Sequence, residues 1–226
     1  MKIIKKLIIT LLVGAALWAA SAKWQQDSIE ELLSQNKKLK QAITNLTKED
    51  QIGYAKVIRQ EDKNGIPHTT FKFVETARDD KSKLLLEKTY TIKGDVIHFD
   101  ALIVKFDNKM VLDGSNRSLY LWRRVYGEHR PPEEGFPIEK EGQEPERYQN
   151  FLGELSLMDK FLLKENPKEK FWSSIWDLAN DQKKLQQFGI TAVYGDVKYL
   201  KMQPKFIYIF KITNTGSIFP EIVPEL

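Results

Sequence analysis

The stretch Val96–Phe106, VIHFDALIVKF, is apolar at both parities: Ile97, Phe99, Ala101 and Ile103 on one, Val96, Leu102, Val104 and Phe106 on the other. Successive side chains of a strand point to opposite faces. A strand with one wet face would be polar at every second position, so this one is predicted to be central, with covering layers on both sides.

The strand period continues on either side of it. GYAKVIRQEDKNGIPHTTFKFVETA predicts two strands joined around Asn64-Gly65, since both residues tolerate positive φ. LLLEKTYTIKGDVIHFDALIVKF predicts the same arrangement around Gly94-Asp95. SLYLWRRVY follows the turn at Asp113-Gly114 as a further strand, and ITAVYGDVKYLKM and KFIYIFKIT flank Gln203-Pro204 as another hairpin. Six to seven antiparallel strands suffice for a barrel or a sandwich.

GEHRPPEEGFPIEKEGQEPER, the body of a segment at 127–147, is rich in Pro, Gly and Glu and predicts a long exposed loop. Beyond it, Tyr148, Phe151, Leu152, Leu155, Met158 and Leu162 fit one helical face. A second helix is signalled by Asn166 as cap, Pro167 in the first turn and Gly189 at the exit. Its broad aromatic face suits packing over the sheet. The sharper alternative is a ligand or partner surface built by Trp172 and Trp176.

At the other end, three lysines precede the apolar run from Leu7 to Ala22. Ala20-Ser21-Ala22 has the form of a cleavage site, but no Gly or Pro breaks the segment after Leu17, which favours a retained signal anchor over 1–24. The lysine asymmetry places the N-terminus in the cytoplasm and the bulk outside a bacterial inner membrane, in the periplasm or its equivalent. SIEELLSQNKKLKQAITNL, within 25–50, then spaces Ile29, Leu32, Asn36, Leu39, Ile43 and Leu46 by threes and fours. Ile at a, Leu at d and one Asn at a are the choices of a short parallel two-stranded coiled coil.

Charge and chemistry are less specific. The net charge is +4, of which Lys2, Lys5 and Lys6 supply three, so the body is nearly neutral and lacks the cationic face of a nucleic-acid reader. The absence of Cys excludes disulfides, thiolate nucleophiles and Cys-based metal sites. His98 and Asp100 share one strand face, but no third ligand can be placed from the sequence, and no catalytic motif, cofactor fingerprint or metal site is recognised. Arg123-Arg124, beside Trp122 and Tyr126, could form an anion or cation–π patch and so a ligand or partner surface, the alternative being that they cover a sheet edge.

The expectation is therefore an α+β protein: a membrane helix, a coiled-coil stalk, and a β-rich domain over 51–226 with two helices packed on it. Its expected role is a non-enzymatic structural or interaction protein. Its partners would be itself as a parallel homodimer, the membrane and other envelope proteins. Binding or sensing of a small molecule or lipid is the alternative, and a hydrolase using His98 and Asp100 ranks third.

Overall fold

Asn64 and Gly65 have φ of 58° and 79°, the left-handed pair that turns a strand back on itself with the right twist. They join β1 (Glu49–Lys63) to β2 (Ile66–Thr76), which pair antiparallel from Lys63↔Ile66 to Gly53↔Glu75. A computed structural model describes residues 2–114, 116–148, 171–172, 175, 183, 185 and 190–225. The chain divides into two units, residues 1–44 and 45–226, each described by itself.

The second unit is a two-sheet antiparallel sandwich. β3 (Leu84–Lys93), β8 (Phe206–Thr213) and β9 (Ile218–Pro224) complete sheet A in the order β3-β2-β1-β8-β9. β4 (Val96–Phe106), β5 (Leu119–Gly127), β6 (Phe136–Pro137) and β7 (Ile190–Lys201) form sheet B in the order β6-β5-β4-β7. β4 pairs on both edges, with β5 and β7, and both its faces are covered.

Toward sheet A, Phe99 and Trp122 meet Phe73 and Phe210, with ring centroids 4.7 to 5.9 Å apart. Edge-on and tilted contacts of this kind suit the ring quadrupole and fill the space between sheets. On the opposite face, Leu102, Val104, Leu119 and Leu121 pack with Tyr148, Phe171, Trp172, Ile175 and Leu185.

Two expected hairpins are corners instead. β3 bonds to β2 in sheet A, whereas β4 starts sheet B. Gly94 makes the switch with φ of 110°, donating its N–H to Pro67 O at 2.7 Å. β7 and β8 likewise sit in different sheets, and the second pairing partner of β8 is β9, a strand that the sequence reading did not place. Alternation specifies a strand and its faces; it does not say which sheet the strand joins.

The α+β expectation with membrane helix and coiled coil is corrected to a mainly β fold. α1 (Lys2–Thr47) and the five-residue α2 (Asn108–Leu112), capped by the Asp107 side chain, are the α-helices whose bounds lie among the described residues, and Phe171, Trp172, Lys183 and Leu185 are helical as well. Among the described residues no helix is long and apolar enough to cross a membrane, which overturns the signal anchor and the single-pass inner-membrane placement. The physical reason lies in the run itself: Leu7 to Ala22 is bounded by charged lysines and falls short of the roughly 20 apolar residues that a bilayer core demands.

The coiled coil is corrected too. The seam belongs to a single long helix, on which Ile29, Leu32, Asn36, Leu39 and Ile43 are exposed and Leu46 is half-buried. Heptad spacing over three turns of the repeat is compatible with a single helix, and isolated coils this short are marginal. The helical faces expected over 148–162 and 166–189 lie mostly outside the described residues.

Candidate functional site

The outer face of sheet B has two halves. One is the apolar half just described. On the other, β4 turns His98 and Asp100 outward, since Ile97, Phe99 and Ala101 take the core. Opposite them β5 carries a bulge. Asp100 pairs with Arg124 and Ala101 with Trp122, leaving Arg123 as the extra residue. Strict alternation would send one of two adjacent arginines into the core; the bulge lets both reach the same outer carboxylate.

Asp100 is 2% exposed and receives Arg123 through Nε and Nη2 at 3.0 and 2.7 Å, while Arg124 Nε lies 3.4 Å from its other oxygen. Arg124 also donates to Pro132 O at 2.9 Å. Both arginine side chains keep about 30% of their surface exposed, so one anion faces a cationic pair at the surface. Gly195 on β7 completes this geometry, because a Cβ there would stand 3.2 Å from Arg123 Nη2. Next to the pair, His98 stacks flat on Tyr126 at 4.7 Å, with Tyr199 tilted at 6.2 Å.

Comparison with protein families, curated proteins and solved structures found no match. Function is therefore read from geometry.

A groove of about 460 Å³ opens beside the arginines, lined by Arg123, Arg124 and Lys140 against Glu133, Glu139 and Glu141, with Gly135 and Pro137 between. It exists because the 127–147 segment is bound over its second half. Residues 128–134 are exposed as expected, but Ile138 enters the core and its N–H bonds Arg123 O at 2.9 Å. Glu139 N–H follows onto Trp122 O at 3.1 Å.

Glu139 connects the groove to a buried charge cluster. Arg147 Nη1 stands 2.6 Å from Glu139 and 2.9 Å from Glu75. Its Nη2 donates to Tyr120 O at 2.6 Å, and its guanidinium lies over the rings of Tyr120 and Tyr148. Two carboxylates thus share one cation. Desolvation raises the Glu75 carboxyl to about 7, Arg147 opposing the rise and Glu139 adding to it. The Arg147 guanidinium is held well above its ordinary value by the two carboxylates, against its own desolvation. Tyr120, raised by burial and by Glu75, faces that carboxyl without a hydrogen bond of ordinary geometry, and the Thr76 hydroxyl is similarly unmatched.

The other sequence candidates fall apart in space. Trp172 is buried and stacks on Tyr148 at 5.4 Å, so it fills the core and lines no open surface; Trp176 lies outside the described residues. Asp100 is committed to the arginines, not to His98, and among the described residues no group of three His, Asp or Glu is placed to hold a metal ion. Sequence reasoning missed Glu75, Glu139 and Arg147. Nothing local marks them, because each is an ordinary charged residue until the fold buries it; charges facing inward on a strand such as Phe73-Val74-Glu75-Thr76 are the only hint.

Proposed function

We propose that the protein is a non-catalytic interaction module that binds another polypeptide along the outer face of sheet B, with Arg123 and Arg124 as anchors. The carrying observation is the pair of half-exposed guanidiniums held on the buried Asp100 at the mouth of the groove. Buried support fixes the arginines in place, so little side-chain entropy is lost on binding. Arginine and tyrosine are the residues on which interfaces concentrate their energy, and Tyr126 and Tyr199 stand nearby.

The lining of the groove favours a polypeptide over a small apolar ligand. Small-molecule and lipid sites are walled mainly by apolar and aromatic groups. Here acids and bases alternate around Gly135 and Pro137, the composition of a polar rim that recognises mixed charge on a partner. Asp100 serves as a positioning residue: it orients the guanidiniums and lowers their net charge.

The test is a photo-crosslinking amino acid placed at Lys140, in the groove, and separately at Lys211 on sheet A, in the native host. Adducts of defined mass at position 140, absent at 211 and lost when Arg123→Glu and Arg124→Glu are combined, are expected. Adducts that survive the double charge reversal, or none at 140, would remove the groove from consideration.

A further inference from the structure

Sheet edges are where unrelated chains pair, and of the four edges that the described strands form, three are blocked. β9 carries Pro220 and Pro224, which cannot donate to a ladder. β6 has two residues, one of them Pro137. β3 is crossed by its neighbour: Lys88 Nζ donates to Ile138 O at 2.6 Å and Tyr90 packs on Phe136 at 6.1 Å. β7 differs from all of them. It is 12 residues long, contains no proline, ends sheet B among the described residues, and exposes Tyr194, Val197 and Tyr199.

We propose that β7 pairs antiparallel with β7 of a second copy of this chain, across a twofold axis at Val197, making one continuous sheet of two sheets B. The argument is charge complementarity in one register. On the inward parity of β7, alongside Leu200, stand Asp196 and Lys198, with Lys198 Nζ 2.7 Å from Asp196 Oδ1. An inward-facing lysine ordinarily protects an edge, because an added strand would bury its ammonium. An antiparallel copy centred on Val197 places the partner's Asp196 opposite Lys198 and the partner's Lys198 opposite Asp196, two unlike cross-strand pairs. A twofold normal to the sheet permits only registers that keep each face continuous; the nearest alternatives, centred on Asp196 or Lys198, oppose like charges. The edge thus rejects most strands and accepts its own.

The outer face agrees with that register. Tyr199 is 72% exposed, and the pairing lays the partner's Tyr199 over Gly195. Gly195 leaves bare backbone there, and Arg123 Nη2 lies beside it, so the incoming ring covers a glycine and meets a guanidinium at its face. This inference goes beyond the groove reading: it shares Arg123 and Tyr199 with that face but rests on the β7 edge and its charges, which the groove does not use.

The chain has no cysteine, so Val197→Cys in the full-length protein gives a single reporter. Directly opposed residues of an antiparallel pair lie within disulfide reach. Mild oxidation is expected to double the 26.3 kDa mass on a non-reducing gel. Adding Lys198→Asp or Asp196→Lys should slow crosslinking at least about tenfold, as both unlike pairs become like. Mixing those two variants, or combining them in one chain, should restore it, which also shows that they fold. Failure of Val197→Cys to crosslink, crosslinking indifferent to charge reversal, or equal crosslinking at Thr191→Cys would each overturn the proposal.

Discussion

Two arginines are buried in the sandwich, and they are treated in opposite ways. Arg78 finds a complete set of acceptors: Asp50 Oδ2 at 3.1 Å, Ser118 O at 2.6 Å and Asn214 Oδ1 at 3.1 Å. Asn214 passes the restraint on, donating to Asn45 O at 2.8 Å, so residues far apart in the chain are tied at one end of the sandwich. Arg147 is oversubscribed, with two carboxylates and a carbonyl on one fork, a Nε without a hydrogen bond, a Glu75 oxygen held by charge at 2.9 Å without hydrogen-bond geometry, and a second Glu139 oxygen left without a hydrogen bond. A satisfied buried cation specifies structure; an unevenly satisfied one leaves a group whose protonation the solvent pH can change.

The sharpest way to break this contrast is Arg78→Ala. It takes from Asp50 its one buried cation, leaving Lys48 at 3.3 Å and Arg117 at 3.8 Å, and frees Ser118 O and Asn214 Oδ1, so a loss of about 3 kcal/mol is expected in urea unfolding. Arg78→Lys should recover only part of it, since one ammonium does not span three acceptors in a fork.

Next in size is the pH response of Glu75. Its unfolded carboxyl loses its proton near the ordinary value of 4.5, whereas the folded one holds it to about 7. Between those values the unfolded state binds fewer protons, so stability falls as pH rises and the loss is complete above about 7. On the order of 3 kcal/mol is at stake from a shift of this size. Glu75→Gln should flatten that part of the stability–pH curve and leave the protein more stable than wild type at alkaline pH. If the curve keeps its slope in the variant, another group titrates there.

Smaller effects sharpen the comparison. Asn214→Ala removes one of three acceptors from Arg78 and the bond to Asn45, with an expected cost of about 1 to 2 kcal/mol. Tyr120→Phe deletes a hydroxyl that faces Glu75 without a hydrogen bond of ordinary geometry, so stability should change by less than about 1 kcal/mol. Equal losses from Asn214→Ala and Tyr120→Phe would erase the distinction between the two clusters.

Part of this architecture was legible in advance. VIHFDALIVKF announced a strand buried on both faces, and β4 is covered on both. Asn64-Gly65 announced a hairpin through local φ preference alone. The adjacent arginines drew notice as a pair, but their shared direction depends on a bulge that no local pattern marks. The N-terminal run misled because apolar composition and heptad spacing were read as membrane and partner, environments that a lone helix does not supply.

The sequence by itself determined β1 to β5, β7 and β8 as strands, which of their faces are apolar and where the chain turns between them, because alternation and turn chemistry act within a few residues; β6 and β9 were not among them. Only the tertiary structure decided that Gly94 and the Gln203-Pro204 turn switch sheets, that Trp172 is core, and that Asp100 belongs to Arg123 and Arg124. It alone brought Glu75, Glu139 and Arg147 to one buried point. Those outcomes depend on contacts between segments tens of residues apart, and the energy of a charge is set by the burial and neighbours such contacts create.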